Sequence, residues 1–461
     1  MENVLAESKM MIPDCRKHLD VSLTDLKTIL FLLPVTFVAD AAPPIENLEY
    51  LMVLVIIKLR KLLAINITGD QEKEMDSSPS QDIYIPKQWS DAVEFISCSS
   101  TPIVFICGAK NCGKTTFSRY LLNILLHKYT KVAYLDTDVG QPEFTPPAFL
   151  SLTIVHKVTP DLTVPCLKTP ERCLFFGDVS CKRDPSTYLS YVYAIYDYYQ
   201  KEYGISVKGE NPCDIKLPLI VNTPGWVKGV GYDVLVDMLN YISPTHVVKI
   251  STSSENKNLP AGEFWLDEER DGTTNLIEIN SARQDSLNRS VLFQKDARPL
   301  RDLRIMAYFR QCFSSDSNIS TMKELAHALA SHCPYEVPIA SIKIRHLHCE
   351  VPSSEIFFSL NATIVGLAVD SEGPENLPWC FGLGIVRGID TVKGVLYVIT
   401  PVPQSSLEKV NLLLQGYIQI PSCLLQARYC SGMHLTIHVS KYFGYKLVIH
   451  VLAKRIISVA C

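Results

Sequence analysis

Short apolar runs, each closed by a turn signal and followed by helical periodicity, dominate the middle of the chain. Pro102 to Cys107 reads as a buried strand, Lys114 to His127 as an amphipathic helix and Lys131 to Leu135 as a second strand. Leu217 to Val221, His246 to Ile250 and Leu276 to Ile279 have the same strand character. Strands alternating with helices predict βαβ units, hence an α/β fold: a parallel sheet with helices on both faces. From about Pro338 the rhythm changes. Ser341 to Arg345, Ala362 to Val369, Gly384 to Ile389 and Gly394 to Thr400 are strand-like with no long helix between them, which predicts a small C-terminal β-rich domain.

Thr68 to Gln81 (TGDQEKEMDSSPSQ) is polar, acidic and Ser/Pro-containing, the composition of a linker. Four segments follow: an extension and linker over 1–81, an α/β domain over 82–335, the β-rich domain over 336–427 and an apolar tail over 428–461. The chain has 461 residues, enough for two or three domains, and 44 Lys+Arg against 48 Asp+Glu leave a net charge of −4. That balance excludes a histone-like field, so any nucleic-acid contact has to come from a local basic patch. The 15 cysteines are scattered and form no Cys-x-x-Cys pair, which points to a reducing compartment rather than a disulfide framework. Met1 to Asp20 has no apolar core of a signal peptide, and Leu51 to Leu63 is broken by Lys58, Arg60 and Lys61. No membrane span is expected.

The chemistry concentrates after the first strand. Gly108-Ala109-Lys110-Asn111-Cys112-Gly113-Lys114-Thr115, followed by Thr116, is a full G-x-x-x-x-G-K-[ST] match that opens a helix. Its glycines let successive backbone N–H groups and the helix N-terminus face phosphate oxygens. Lys114 would reach the β/γ-phosphates and the Thr115 hydroxyl would hold Mg²⁺.

About twenty residues on, a strand runs into Asp136-Thr-Asp138-Val-Gly140-Gln141. A carboxylate ending a strand adjacent to the phosphate-binding strand sits beside the γ-phosphate and its metal. Either Asp136 or Asp138 could bind Mg²⁺ through water or accept a proton from an attacking hydroxyl. Val221-Asn222-Thr223-Pro224-Gly225-Trp226 follows the Leu217 strand and is similar to the D-x-x-G switch of GTPases, with Asn222 where the metal-linked Asp would stand. The nearest guanine-reading candidate, Asn256-Lys-Asn-Leu259, ends in a residue that cannot accept the guanine N–H bonds, so ATP is favoured over GTP.

Three other features carry less. Gly382-Leu-Gly384-Ile-Val-Arg-Gly388 is one residue too long for a dinucleotide fingerprint and opens a β stretch. Seven of the 21 tyrosines lie between Tyr188 and Tyr203 on one helix, where packing against the sheet is favoured over base stacking. Arg298, Arg301 and Arg304 stand at i, i+3, i+6, able to clamp a transferring phosphoryl group or to form a solvated face.

Taken together, GAKNCGKTTF, YLDTDVGQPEFTPP, TPERCLFFGDVSCKRDP, NTPGWVKGVGYD and KDARPLRDLRIMAYF, in this order, resemble the polynucleotide 5′-hydroxyl kinases of the nucleolar, pre-rRNA-processing type, plant members in particular. These are relatives of the RNA kinase in the pre-mRNA cleavage complex. The resemblance spans about Ile83 to Leu425. It implies a P-loop kinase over 82–335 that moves the γ-phosphate of ATP to the 5′-hydroxyl of RNA, with Lys114, Asp138, Arg301 and Arg304 catalytic. It further implies that Gln141, Thr223, Trp226 and Arg298 hold substrate, and that Thr115, Asp136 and Asp138 serve the metal. An endoribonuclease partner, processing of the second internal transcribed spacer and a nucleolar location come with it. The competing expectation is an ATP-bound adaptor without turnover. Residues 1–81 and 428–461 have no counterpart in the pattern.

Overall fold

The computed structural model describes residues 85–159, 166–204, 216–266, 274–282, 297–370 and 377–425, with the backbone of two further strands at 436–440 and 448–452. The expected N-terminal extension and linker lie outside the described residues, as does the rest of the apolar tail. The two tail strands pair antiparallel as a separate sheet.

The central strand is β1 (Ile103–Gly108), buried along its whole length. Its side chains alternate between two cores. Ile103, Phe105 and Cys107 face one, Val104 and Ile106 the other, as the two-residue period of a strand requires. The first core is closed by α3 (Pro185–Tyr199) and α4 (Val230–Ile242), the second by α1 (Lys87–Cys98) and α2 (Lys114–Lys128). A strand buried on both faces can be apolar throughout, which is why it was legible.

Helix α3 starts where its sequence dictates. Asp184 accepts from the Thr187 N–H as N-cap and Pro185 takes the first helical position. Its tyrosines pack inward. Tyr188, Tyr191, Tyr196 and Tyr199 are buried, and the hydroxyls of Tyr188, Tyr196 and Tyr199 donate to the carbonyls of Thr137, Ile242 and Leu217. The expectation of packing over base stacking therefore holds for this face.

The described main sheet has 13 strands. Its first part runs β7 (Asn275–Asn280), β6 (His246–Ser251), β1, β5 (Leu219–Asn222), β2 (Val132–Asp136), all parallel. It continues through β3 (Phe149–Val155) and β4 (Arg172–Phe175), both antiparallel to their neighbours. The sheet is thus mixed where the sequence predicted a parallel one. The β2–β3 and β3–β4 connections need no crossover helix in an antiparallel arrangement, and among the described residues there is none, so the strand–helix alternation on which the reading depended is missing there.

Antiparallel pairing of Trp379 with Leu174 joins β4 to β11 (Trp379–Asp390) and so to the C-terminal strands. β11 pairs with β10 (Thr363–Val369) and β12 (Val395–Ile399), and β12 with β8 (Tyr335–Pro338). β10 pairs with β13 (Leu412–Gln415), and β13 runs parallel to β9 (Lys343–His346). Gly382 to Gly388 lie inside β11, as the rejection of a dinucleotide fingerprint requires.

A third core ties the two parts. Phe149 and Phe175 from β3 and β4 meet Ile305, Met306 and Phe309 of α5 (Ala297–Arg310), Leu325 and Leu329 of α6 (Met322–Ser331), and Leu383, Ile399 and Leu412 of the C-terminal strands. Among the described residues no helix is long and apolar enough to cross a membrane.

Candidate active site

β1 ends at Gly108 with φ 143°, and a Cβ there would overlap the Ile250 carbonyl at the end of β6. Five residues later Gly113, at φ 105°, caps α2 from the left-handed region, and a Cβ on it would meet the Trp89 ring at 3.1 Å. The loop between them is therefore held from both sides by neighbours that leave no room for side chains.

Trp89 is the support that sequence reasoning missed. Its ring is 1% exposed and edge-on to Phe117 at 5.3 Å, and its Nε1 donates to the Asn280 carbonyl at 2.9 Å. Trp89, Ala92, Val93 and Ile96 of α1 are buried, and their i, i+3, i+4, i+7 spacing was a usable helical signal.

Within the loop Ala109 and Cys112 are buried, Lys110 and Asn111 are exposed, and Thr115 and Thr116 are half-buried in the first turn of α2. The Lys114 side chain folds back over the loop, its Nζ donating to the Gly108 and Ala109 carbonyls at 3.0 Å each. Backbone amides at a helix N-terminus beside an ammonium group make an anion cradle.

The carboxylates do not lie beside this loop in the expected order. β5 stands between β1 and β2, so the strand carrying Asp136 is one removed from the phosphate-binding strand. Chain order gave no lateral order, because the chain returns through α3 to insert β5 between them. Asn222, the last residue of β5, pairs in register with Ile106 on one side and Asp136 on the other.

Asn222 is fully buried, and its Nδ2 donates to Asp136 Oδ1 at 3.1 Å while Ser118 of α2 donates to its Oδ1 at 3.4 Å. Asp136 itself is 1% exposed and also accepts from the Asp138 and Glu143 N–H groups. Burial pushes its carboxyl up to about 7, against the pull of the Glu143 and Asn222 donors. Asp138 differs. It is half-buried, and among the described residues its Oδ1 accepts from the Gly140 and Gln141 N–H groups at 3.0 and 3.1 Å. Thr115 and Asp138 together offer the hard oxygen donors that Mg²⁺ prefers, whereas Asp136 is enclosed by N–H groups.

Of the three arginines, Arg298 is exposed and Arg301 half-buried. Arg304 is committed: its Nη1 donates to the Glu143 carbonyl at 2.9 Å and its Nη2 lies 3.8 Å from Glu143 Oε2. Glu143 also pairs with Arg119 of α2 at 3.1 Å, both side chains 3% exposed. Glu143 stands inside the YLDTDVGQPEFTPP run, but nothing in that run or around Arg119 says that the two pair, so this buried ion pair was invisible in the sequence.

The Asn222 loop lies against the P-loop, where a Cβ on Gly225 would stand 2.5 Å from the Lys110 Cα. Thr223 is buried, its hydroxyl donating to the Ile106 carbonyl at 2.8 Å, so the side chain holds the loop to β1. Trp226 is half-buried, its ring edge-on to Tyr188 at 5.3 Å, and Gln141 is likewise half-buried. Leu259 is a core residue beneath α4, in keeping with the absence of a guanine-reading residue at that position.

Comparison with known proteins gives concordant results. Residues 108–311 match the family described as mRNA cleavage and polyadenylation factor CLP1 P-loop, and residues 330–421 match NOL9-like, C-terminal domain. The chain is 61% identical over 360 residues to polynucleotide 5'-hydroxyl-kinase NOL9 of Arabidopsis thaliana, covering 77% of this chain and 96% of that protein. To the proteins of the same name from Danio rerio and Homo sapiens it is 34% and 30% identical, covering 72% and 76% of this chain. It spans only about half of their length, 48% and 54%. Among solved structures, the wild-type Clp1p-Pcf11p (454-563) complex holds a chain that matches with a TM-score of 0.51 at 17% identity, covering 71% of this chain and 77% of that one.

Proposed function

The chain belongs to the polynucleotide 5′-hydroxyl-kinase NOL9 family, and from that membership we propose that it transfers the γ-phosphate of ATP to the 5′-hydroxyl end of RNA. One observation carries the chemistry: the P-loop and Asp138 open on the same edge of one sheet, with Asn222 registering β1 against β2. Phosphoryl transfer asks for in-line placement of the hydroxyl and for positive charge around the three γ-oxygens. The loop amides from Ala109 to Thr116 hold the phosphates, and Lys114 leaves its two carbonyl partners to reach them. Thr115 and Asp138 are the residues that would hold Mg²⁺, which supplies charge neutralisation on the phosphates. Asp138, through its Oδ2, orients the attacking hydroxyl. Asp136 acts indirectly, by fixing the loop. Arg301 and Arg304 bring charge to the transferring group, Arg304 by exchanging Glu143 for phosphate.

Acceptor RNA is held by Trp226, Gln141 and Arg298, with Thr223 keeping the Trp226 loop on β1. A base laid on the indole gains stacking without sequence preference, worth about 1–3 kcal/mol. Trp226→Ala is expected to weaken binding of a 5′-hydroxyl oligoribonucleotide about tenfold and to leave ATP affinity unchanged. Fluorescence anisotropy for RNA and calorimetry for ATP read the two apart. Equal loss of both would make the indole a packing group for Tyr188 only. The direct test of the activity is transfer of labelled γ-phosphate from ATP to 5′-hydroxyl RNA with Mg²⁺; tight ATP binding without transfer would favour the adaptor. The place of action that fits this substrate is the nucleolus, beside an endoribonuclease that leaves 5′-hydroxyl ends in processing of the second internal transcribed spacer. The division into a kinase part over 82–335 and a β-rich part over 336–427 belongs to the same proposal.

A further inference from the structure

Beyond Glu143 the loop between β2 and β3, with residues of α5 and the C-terminal strands, lines a groove of about 140 Å³. Buried Phe144 and Phe149 form its floor, and half-exposed Tyr308 and Phe381 stand in its walls with Lys168. Three properties set it apart from a packing defect.

First, Thr145 lines it at 3% exposure with a hydroxyl that has no hydrogen-bond partner. Buried hydroxyls are costly when left unpaired, so an orphaned one on a residue of the groove lining marks a place where a turn of the side chain would bring it to a ligand group. Second, none of the lining residues is acidic and Lys168 is the one that bears charge, which suits a polyanion. Third, the groove is built from the same loop as the reacting centre. Thr145 follows two residues after Glu143, whose carbonyl accepts from Arg304, and the Lys168 N–H donates to the Phe144 carbonyl.

We propose that this groove is a second nucleotide subsite for the acceptor RNA, taking a base downstream of the 5′ end against Phe381 and Tyr308, with Lys168 on its phosphate and the Thr145 hydroxyl on its polar edge. It rests on the reading of the chain as an RNA 5′-kinase and extends it: acceptor affinity grows with strand length because of contacts away from the transferred group. Aromatic walls with a single cation are the means by which proteins hold single strands without reading sequence.

The test compares 5′-hydroxyl oligoribonucleotides of dinucleotide, tetranucleotide and octanucleotide length, by anisotropy and by steady-state phosphorylation, in the full chain and in Lys168→Ala, Phe381→Ala and Thr145→Val. For wild type, Kd and KM are expected to fall as length increases. Each alanine variant should lose about tenfold of that gain on the octanucleotide, with kcat and dinucleotide KM unchanged. Thr145→Val separates ligand from fold. It removes an orphaned hydroxyl, so the melting temperature should rise while octanucleotide affinity falls; a rise in melting temperature with unchanged affinity overturns the assignment. A length gain intact in all three variants also overturns it, leaving the groove to a protein partner, as does equal loss on the dinucleotide. Wild-type protein that binds long RNA through these residues but phosphorylates none would instead defeat the kinase reading and spare the groove.

Discussion

Lys114→Ala is expected to lower the rate of RNA 5′-phosphorylation at saturating ATP about 10²- to 10³-fold, the cost of removing one preorganised donor from a developing phosphoryl charge. The structure says why the loss should be catalytic rather than architectural. Among the described residues the ammonium group donates to two carbonyls of its own loop, Gly108 and Ala109, and both belong to a turn fixed from outside by Ile250 and Trp89. Removing it leaves those fixtures in place, so the melting temperature should move by no more than about 2–4 °C. Initial rates with labelled ATP, beside a thermal melt, decide the matter. Turnover within tenfold of wild type would mean that another cation, Arg301 or Arg304, neutralises the phosphate, and the roles assigned to the P-loop lysine would have to be redistributed.

The difference between Asp136 and Asp138 shows what a sequence can and cannot deliver. Both stand in one DTD at a strand end, and spacing alone leaves either free to serve metal or proton. Packing separates them: Asn222 from β5 and the Glu143 amide close around Asp136, whereas Asp138 spends a single oxygen on its own turn. That distinction depends on β5 lying between β1 and β2, a lateral order set by how helices cover the sheet and not by any local pattern. The phosphate-binding loop was legible because its function demands fixed residue types at fixed spacing within one turn. β1, α2 and β6 were legible because burial on both faces makes strands apolar throughout and one-sided burial gives helices a period. β3 and β4 were hidden because, among the described residues, no helix of the kind that marks a parallel connection stands beside them. Thr223 matched a substrate-holding motif, yet its hydroxyl goes to the Ile106 carbonyl, since a strand-end loop must satisfy the sheet beneath before it can face a ligand.

Glu143→Ala is expected to destabilise the fold by about 3–5 kcal/mol, because Arg119 would keep its charge at 3% exposure with its carboxylate partner removed. The sign of the ionic contribution sharpens the prediction. Burial pushes the Glu143 carboxyl up, and the pull of Arg119, Arg304 and Lys168 does not bring it back to its ordinary value. A carboxyl whose folded value lies above its unfolded one is held at net cost when ionised. Its own contribution is therefore not lost as pH falls through the carboxylate range, as it would be for a group such as Asp184, whose value is lowered. The pair is thus expensive to break and of little value to keep. Replacing both members with apolar residues of similar volume, Arg119→Met with Glu143→Leu, should recover most of the stability lost in Glu143→Ala. The double variant then exposes the second job of Glu143. Arg304 loses its side-chain partner, keeping only the carbonyl at position 143, so phosphorylation in a stable double variant should change through Arg304 alone. Denaturant melts of the two single variants and the double variant close the thermodynamic cycle. If Glu143→Ala melts with wild type, Arg119 has found another anion, and the loop after β2 is held by its backbone and not by this pair.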